Sequence, residues 1–109
     1  MKALSFGIAS ALVATSGHAE TTCIASYYGK ESGRYTANRE RFNPMGYTAA
    51  SLSYSFGTML RVSFHRRSIV VRVNDIGPAK KTKRCIDLSQ GAAEVLKLKL
   101  GLVRIRKVG

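Results

Sequence analysis

Two runs of alternating residues, divided by a tight basic turn, constrain this chain more than any other feature. Thr58–Phe64 (TMLRVSF) alternates apolar and polar residues, the period of a half-buried strand. Ser68–Val73 (SIVVRV) is the most β-branched run in the sequence. His65-Arg66-Arg67 separates them, so the pair reads as a hairpin with one face in a core. The rest of the chain is punctuated in the same way. Cys23–Tyr28 is a β-prone run ended by Gly29, Tyr47–Ala50 and Cys85–Leu88 are short strand candidates, and Leu102–Val108 alternates again. Lys30–Arg34 and Asn74–Pro78 read as loops, and Asn43-Pro44 marks a turn in the weakly periodic Thr36–Met45 stretch. Ser89 is an N-cap for one predicted helix, Gln90–Leu98, with Ala93, Leu96 and Leu100 on its apolar face and Gly101 as its stop. Many short strands, tight turns and one helix predict a small barrel or sandwich.

The first residues predict export. Met1-Lys2 gives a positive start, Ala3–Ala14 is apolar or small, and Gly17 and Ala19 sit where a signal peptidase reads. Residues 1–19 therefore read as a signal peptide and 20–109 as a single domain. The alternative is a short buried N-terminal helix. Glu20-Thr21-Thr22 before Cys23 does not suit a lipoprotein signal, so neither a lipid anchor nor a stable membrane anchor is expected. No apolar run reaches the roughly 20 residues of a membrane-spanning helix. In an oxidising compartment the two cysteines, Cys23 and Cys85, form a disulfide by default, with two free thiols as the alternative. Such a bond closes a loop of about 60 residues and contributes roughly 2–4 kcal/mol.

Composition matters chiefly through charge and through what is scarce. Eighteen Lys and Arg stand against six Asp and Glu, a net charge of +12. Nucleic-acid binding is open to any domain this basic, but the cations are spread along the chain without a nucleic-acid motif, and export argues against that partner. Attraction to an anionic cell envelope fits better, with simple solubility as the bland reading. Two His and two Cys do not provide a zinc cluster, and no metal or cofactor is expected. Once the leader is removed His65 is the sole histidine, and the acids are Glu20, Glu31, Glu40, Asp75, Asp87 and Glu94. His65 reads as a solvated turn residue.

Six segments in order carry a family likeness: ASYYG (Ala25–Gly29), TANRERFN (Thr36–Asn43), YTAAS (Tyr47–Ser51), FGTMLRV (Phe56–Val62), VVRVNDIGP (Val70–Pro78) and IDLSQGAAEVL (Ile86–Leu96). They span nearly all of the chain after the leader. In them the chain resembles the rare lipoprotein A family of small exported proteins. The resemblance implies a six-stranded double-psi β-barrel with one short helix, also found in expansins, barwin-like proteins and family-45 endoglucanases. It implies a periplasmic or secreted location and an endolytic lytic transglycosylase that cleaves peptidoglycan glycan strands, preferably denuded ones, to 1,6-anhydro products. The C-terminal SPOR domain usual in the family is not in this sequence, and a monomer is expected.

A lytic transglycosylase protonates the leaving oxygen and deprotonates the sugar 6-hydroxyl, and one carboxyl group can do both. Glu40 falls on the acidic position of the family stretch TA-x-GE-x-F and is the expected acid/base. Phe42 beside it is expected to desolvate it and raise its pKa, with Arg39 and Arg41 pushing the other way. Arg39 stands where the family has Gly. Asp75 has two readings, a turn cap through bonds to backbone N–H groups and a groove residue that assists Glu40; both can hold. Asp87 reads as structural, at the start of the helix. Tyr28, Ser51, Tyr54 and Asn74 are the expected substrate contacts. Tyr27, Tyr47 and Phe56 are further flat faces, about half of which a strand would turn inward. Ser51 stands where the family has His, and Asn43 where many members have Asp. Serine does not titrate near neutrality. The alternative function is therefore a non-catalytic, expansin-like module that binds or loosens the wall.

Overall fold

The computed structural model describes residues 19–29, 31 and 33–109. The signal peptide expected over residues 1–19 lies outside this set, apart from Ala19. Six strands close into a barrel: β1 (Glu20–Tyr28), β2 (Thr48–Ser51), β3 (Met59–Phe64), β4 (Arg67–Asp75), β5 (Ile86–Ser89) and β6 (Gly101–Lys107). One helix, α1 (Gln90–Leu96), follows β5, and a 3-10 turn covers Lys80–Thr82. The order around the barrel is β1-β5-β2-β4-β3-β6. The β1–β5 and β2–β4 contacts are parallel, and the other four are antiparallel.

The predicted hairpin is the longest regular piece. Phe64 pairs with Arg67 and Leu60 with Val71, and His65-Arg66 alone form the turn, one residue fewer than expected. Alternation then fixes the core. Leu60, Val62, Ile69, Val71, Val73, Val103 and Ile105 point inward and are essentially buried, while Arg61, Arg104 and Arg106 point out. β2 and β5 are only four residues each and lie side by side in the barrel wall, where Ala49, Ala50, Ile86 and Leu88 are buried. Pairing removes their backbone polar groups from solvent without strand length.

The termini of several elements differ from the sequence expectation. β1 starts at Glu20 because β6 supplies partners as far as Arg106. Helix α1 ends at Leu96, where Lys97 turns left-handed at φ 60° and its N–H bonds the Ala93 and Glu94 carbonyls. Leu100 is consequently 64% exposed, and Leu98 is buried in the place expected for it. Thr36–Met45 is a loop, stitched by an isolated bridge between Tyr35 and Arg41.

Ser89 caps α1 as predicted, its Oγ accepting from the Ala92 N–H, and it also donates to the Gly46 carbonyl at 2.5 Å. That second bond ties the Thr36–Met45 loop to the helix. Gly91 makes the fit possible: a Cβ there would lie 2.4 Å from the Met45 carbonyl oxygen. Cys23 and Cys85 form a disulfide, Cα atoms 5.9 Å apart, which fastens β1 to the segment leading into β5. Beside it the Cys85 N–H donates to the Ile24 carbonyl.

Candidate active site

Glu40 sits on the Thr36–Met45 loop, outside the regular strands. Two turns shape its approach: the Arg39 N–H donates to the Thr36 carbonyl and the Thr36 N–H to the Glu40 carbonyl, both at 2.9 Å. Arg39 adopts φ 73°, left-handed backbone that suits glycine. The backbone form that glycine favours is thus kept here, at a cost of roughly 1–2 kcal/mol for a residue with a Cβ.

The Glu40 carboxylate is fully occupied. Arg72 on β4 donates to both oxygens, Nη1 to Oε2 at 2.5 Å and Nη2 to Oε1 at 2.8 Å. Asn74 Nδ2 donates to Oε1 at 3.1 Å and Asn38 Nδ2 to Oε2 at 2.9 Å. These bonds, the guanidinium's first, hold the carboxyl at a pKa of about 2. The expected rise through Phe42 is not found. The Phe42 ring stacks on Tyr28 instead, centroids 5.0 Å apart, and leaves Glu40 to its cation.

Arg72 escaped the sequence reading, although its signal was present. It lies two residues before Asn74 on one strand, and with a period of two both reach the same side. The neighbouring Val71 and Val73 fill the core.

Asp75 ends β4 at the rim of the barrel. Its Oδ1 accepts from the Ala37 and Ile76 N–H groups, each at 2.9 Å, so the turn-cap reading describes one oxygen. Its Oδ2 faces the Tyr28 hydroxyl at 3.4 Å. Tyr28 is raised well above an ordinary phenol, by burial first and then by the Asp75 charge, so its hydroxyl keeps its proton. Tyr28, Tyr35, Asp75, Ile76 and Asp87 line an open groove of about 360 Å³.

Asp87 is a β5 strand residue, not a group at the helix start. It accepts from Ser26 Oγ at 2.5 Å and pairs with Arg84 at 3.1 Å, and Arg84 also donates to Ser26. Tyr35, 64% exposed on the groove, is a second residue the sequence reading missed.

Ser51 and Tyr54 belong to an adjoining depression of about 300 Å³, walled also by Leu52, Phe56 and the shared Ile76. Ser51 is buried, and its Oγ accepts from the Ser53 and Tyr54 N–H groups at 3.0 and 3.1 Å. Tyr54 packs partly against the core. Asn74 is 2% exposed and serves Glu40 through its amide nitrogen. Asn43 is exposed and accepts from the Met45 N–H, closing its own turn. A larger concavity, about 870 Å³, lies on the Tyr27 side of β1 against α1 and is lined by neither Glu40 nor Asp75. Among the described residues no group of three or more His, Cys, Asp or Glu has the arrangement of a metal site.

The sequence profile of a family described as "Lytic transglycolase" matches residues 20–107. A probable endolytic peptidoglycan transglycosylase RlpA of a Nostoc species is 55% identical over 78 residues, covering 67% of this chain and 21% of the relative. The endolytic peptidoglycan transglycosylase RlpA of Rickettsia typhi is 39% identical over 92 residues, covering 78% and 28%. The chain thus spans between about a fifth and somewhat over a quarter of the length of these relatives. Among solved structures, a Streptomyces papain inhibitor superposes with a TM-score of 0.67 at 22% identity, over 84% of this chain and 96% of that one. A designed double-psi barrel, mkDPBB_sym2, does so with a TM-score of 0.55 at 18% identity, over 83% and 100%. These two likenesses establish the barrel. With the family profile covering the whole barrel, the chain belongs to the RlpA family of double-psi β-barrel lytic transglycosylase domains.

Proposed function

We propose that this domain is an extracytoplasmic, endolytic peptidoglycan transglycosylase in which Asp75 is the acid/base and Glu40 a positioning residue. The observation that carries the assignment is the contrast between the two carboxylates. Glu40 is saturated by four donors and held anionic, so at neutral pH it carries almost no proton to give. Asp75 is held at Oδ1 by two backbone N–H groups, while its Oδ2 accepts a single long bond, 3.4 Å, from the Tyr28 hydroxyl, and both residues line the groove.

In this reading a glycan strand lies along the groove across Tyr28 and Tyr35. Protonated Asp75 Oδ2 gives its proton to the glycosidic oxygen as the bond from the anomeric carbon breaks. The sugar 6-hydroxyl closes on that carbon and its proton passes to the Asp75 carboxylate. One bond breaks, one forms, no water is consumed, and the acid is regenerated. Asp87, the other groove carboxylate, is committed to Arg84 and Ser26, which fits a one-carboxyl reaction better than the paired carboxylates of a retaining hydrolase.

Glu40 acts through the loop. With Arg72 and Asn74 it clamps Thr36–Met45 to β4, and the same loop supplies the Ala37 N–H that fixes Asp75. Preference for denuded glycan rests on family likeness. The disulfide fits an oxidising, extracytoplasmic setting.

Digestion of purified sacculi tests the reaction class. The expected products carry 1,6-anhydromuramic ends, one water lighter than hydrolysis products. Reducing-end products would make the domain a hydrolase, and binding without cleavage would make it a wall-binding module.

A further inference from the structure

All six acidic residues have partners, and none of them lines the hairpin end of the barrel. Glu40 pairs with Arg72, Asp87 with Arg84, and Glu20 with Arg104. Asp75 and Glu31 accept from backbone N–H groups, and Glu94 accepts from Gln90. The cations of the β3–β4 turn are left without a counter-charge. There Phe64, His65, Arg66, Arg67, Leu96 and Lys97 enclose a concavity of about 770 Å³. Three cations and a histidine line it, with no carboxylate, and no ion pair is formed by Arg66, Arg67 or Lys97 among the described residues.

The surroundings are basic as well, although Arg104 there is paired with Glu20. Arg104 donates to the His65 carbonyl and leads from the turn onto the outer face of the sheet. On that face Arg61 and Arg106 lie directly opposite each other across β3 and β6. Like charges in that register repel and lower stability. Within the lining, Phe64 and His65 stack with centroids 4.1 Å apart, and Leu96 is buried. Guanidinium forks over a shallow recess match the oxygens of a phosphoryl group in both charge and geometry.

We infer that this concavity is a phosphoryl-binding site, distinct from the glycan groove, that holds the domain to a phosphate-bearing component of the envelope. A lipid headgroup and a soluble phosphate polymer share this chemistry. The site uses neither Glu40 nor Asp75, so it does not depend on the proposed reaction.

Binding of a short linear polyphosphate, and of vesicles of phosphatidylglycerol against phosphatidylcholine, tests it on the full chain. The variants are Arg66→Ala/Arg67→Ala, Lys97→Gln from the opposite wall, and the charge-matched control Lys80→Ala/Lys81→Ala. All five residues are exposed, so the fold is not at risk. The arginine pair is expected to lose at least about tenfold in affinity, Lys97→Gln about threefold, and the control less than about twofold. A response with polyphosphate or with phosphatidylglycerol supports the site and identifies the source. Equal losses in the arginine pair and the control would reduce the effect to net charge and overturn the proposal. So would unchanged binding in the arginine pair, or no binding by the wild type.

Discussion

Glu40→Gln measures what the carboxylate clamp contributes to the fold. The variant keeps the shape and replaces one oxygen by an amide nitrogen, which must face either the Arg72 guanidinium or an asparagine Nδ2. Full conversion of a carboxyl moved from 4.5 to about 2 would give about 3 kcal/mol. Both side chains are more than a third exposed, at 38% and 37%, and solvent screening reduces that to about 1–1.5 kcal/mol. For a domain of this size such a loss lowers Tm by roughly 5–10 °C.

The sign of the pH dependence follows from the depressed pKa. The contribution is fully present above the unfolded value of about 4.5 and is lost as pH falls through the folded value of about 2. Thermal melts of both proteins between about pH 7 and pH 2 are therefore expected to converge on acidification. The gap should hold down to about pH 5 and then close. A gap that stays constant to the acid end, or widens, would refute the clamp as its cause.

Other substitutions probe the frame around the site. Gly91→Ala places a Cβ 2.4 Å from the Met45 carbonyl oxygen, and a loss of at least about 2 kcal/mol in denaturant unfolding is expected. Ser51→Ala removes the acceptor of two N–H groups, at an expected cost of about 1–2 kcal/mol, and unchanged stability would mean those donors find water. Reduction of Cys23–Cys85, a bond spanning 62 residues of sequence, is expected to cost roughly 2–4 kcal/mol, and identical melts with and without reductant would contradict it.

The parts of this structure that were legible in the sequence are those set by local pattern. The β3–β4 hairpin follows from its alternation, the start of α1 from Ser89, and the position of Glu40 on a loop from the turn residues around it, whereas Asn74 and Asp75, expected at the start of a loop, are the last two residues of β4 because β2 and the Thr36–Met45 loop supply partners there. What escaped was set by tertiary partners. Arg72 looked like any outward strand residue, and only the fold of Thr36–Met45 over β4 makes it the anchor of Glu40. Phe42 stood two residues from Glu40 in sequence, yet its ring stacks on Tyr28, a flat apolar face being a better neighbour than a solvated anion. Leu98 replaced Leu100 in the core because Lys97 turns left-handed and breaks the helical period. The parallel pairings of β1 with β5 and β2 with β4 have no local signal; family likeness implied the six-stranded double-psi barrel, and the strand order is seen only in the structure.

The division of labour between two carboxylates is the centre of this account, and release of 1,6-anhydro products from denuded glycan by Asp75→Asn and Glu40→Gln, side by side with wild type, tests it most directly. Asp75→Asn is expected to lose about 10²–10⁴ in rate with the fold intact. Glu40→Gln is expected to be slower than wild type but measurably active, because Glu40 acts only through the loop that positions Asp75. Wild-type product from Asp75→Asn together with a folded but inactive Glu40→Gln would contradict the assignment and return the proton to Glu40.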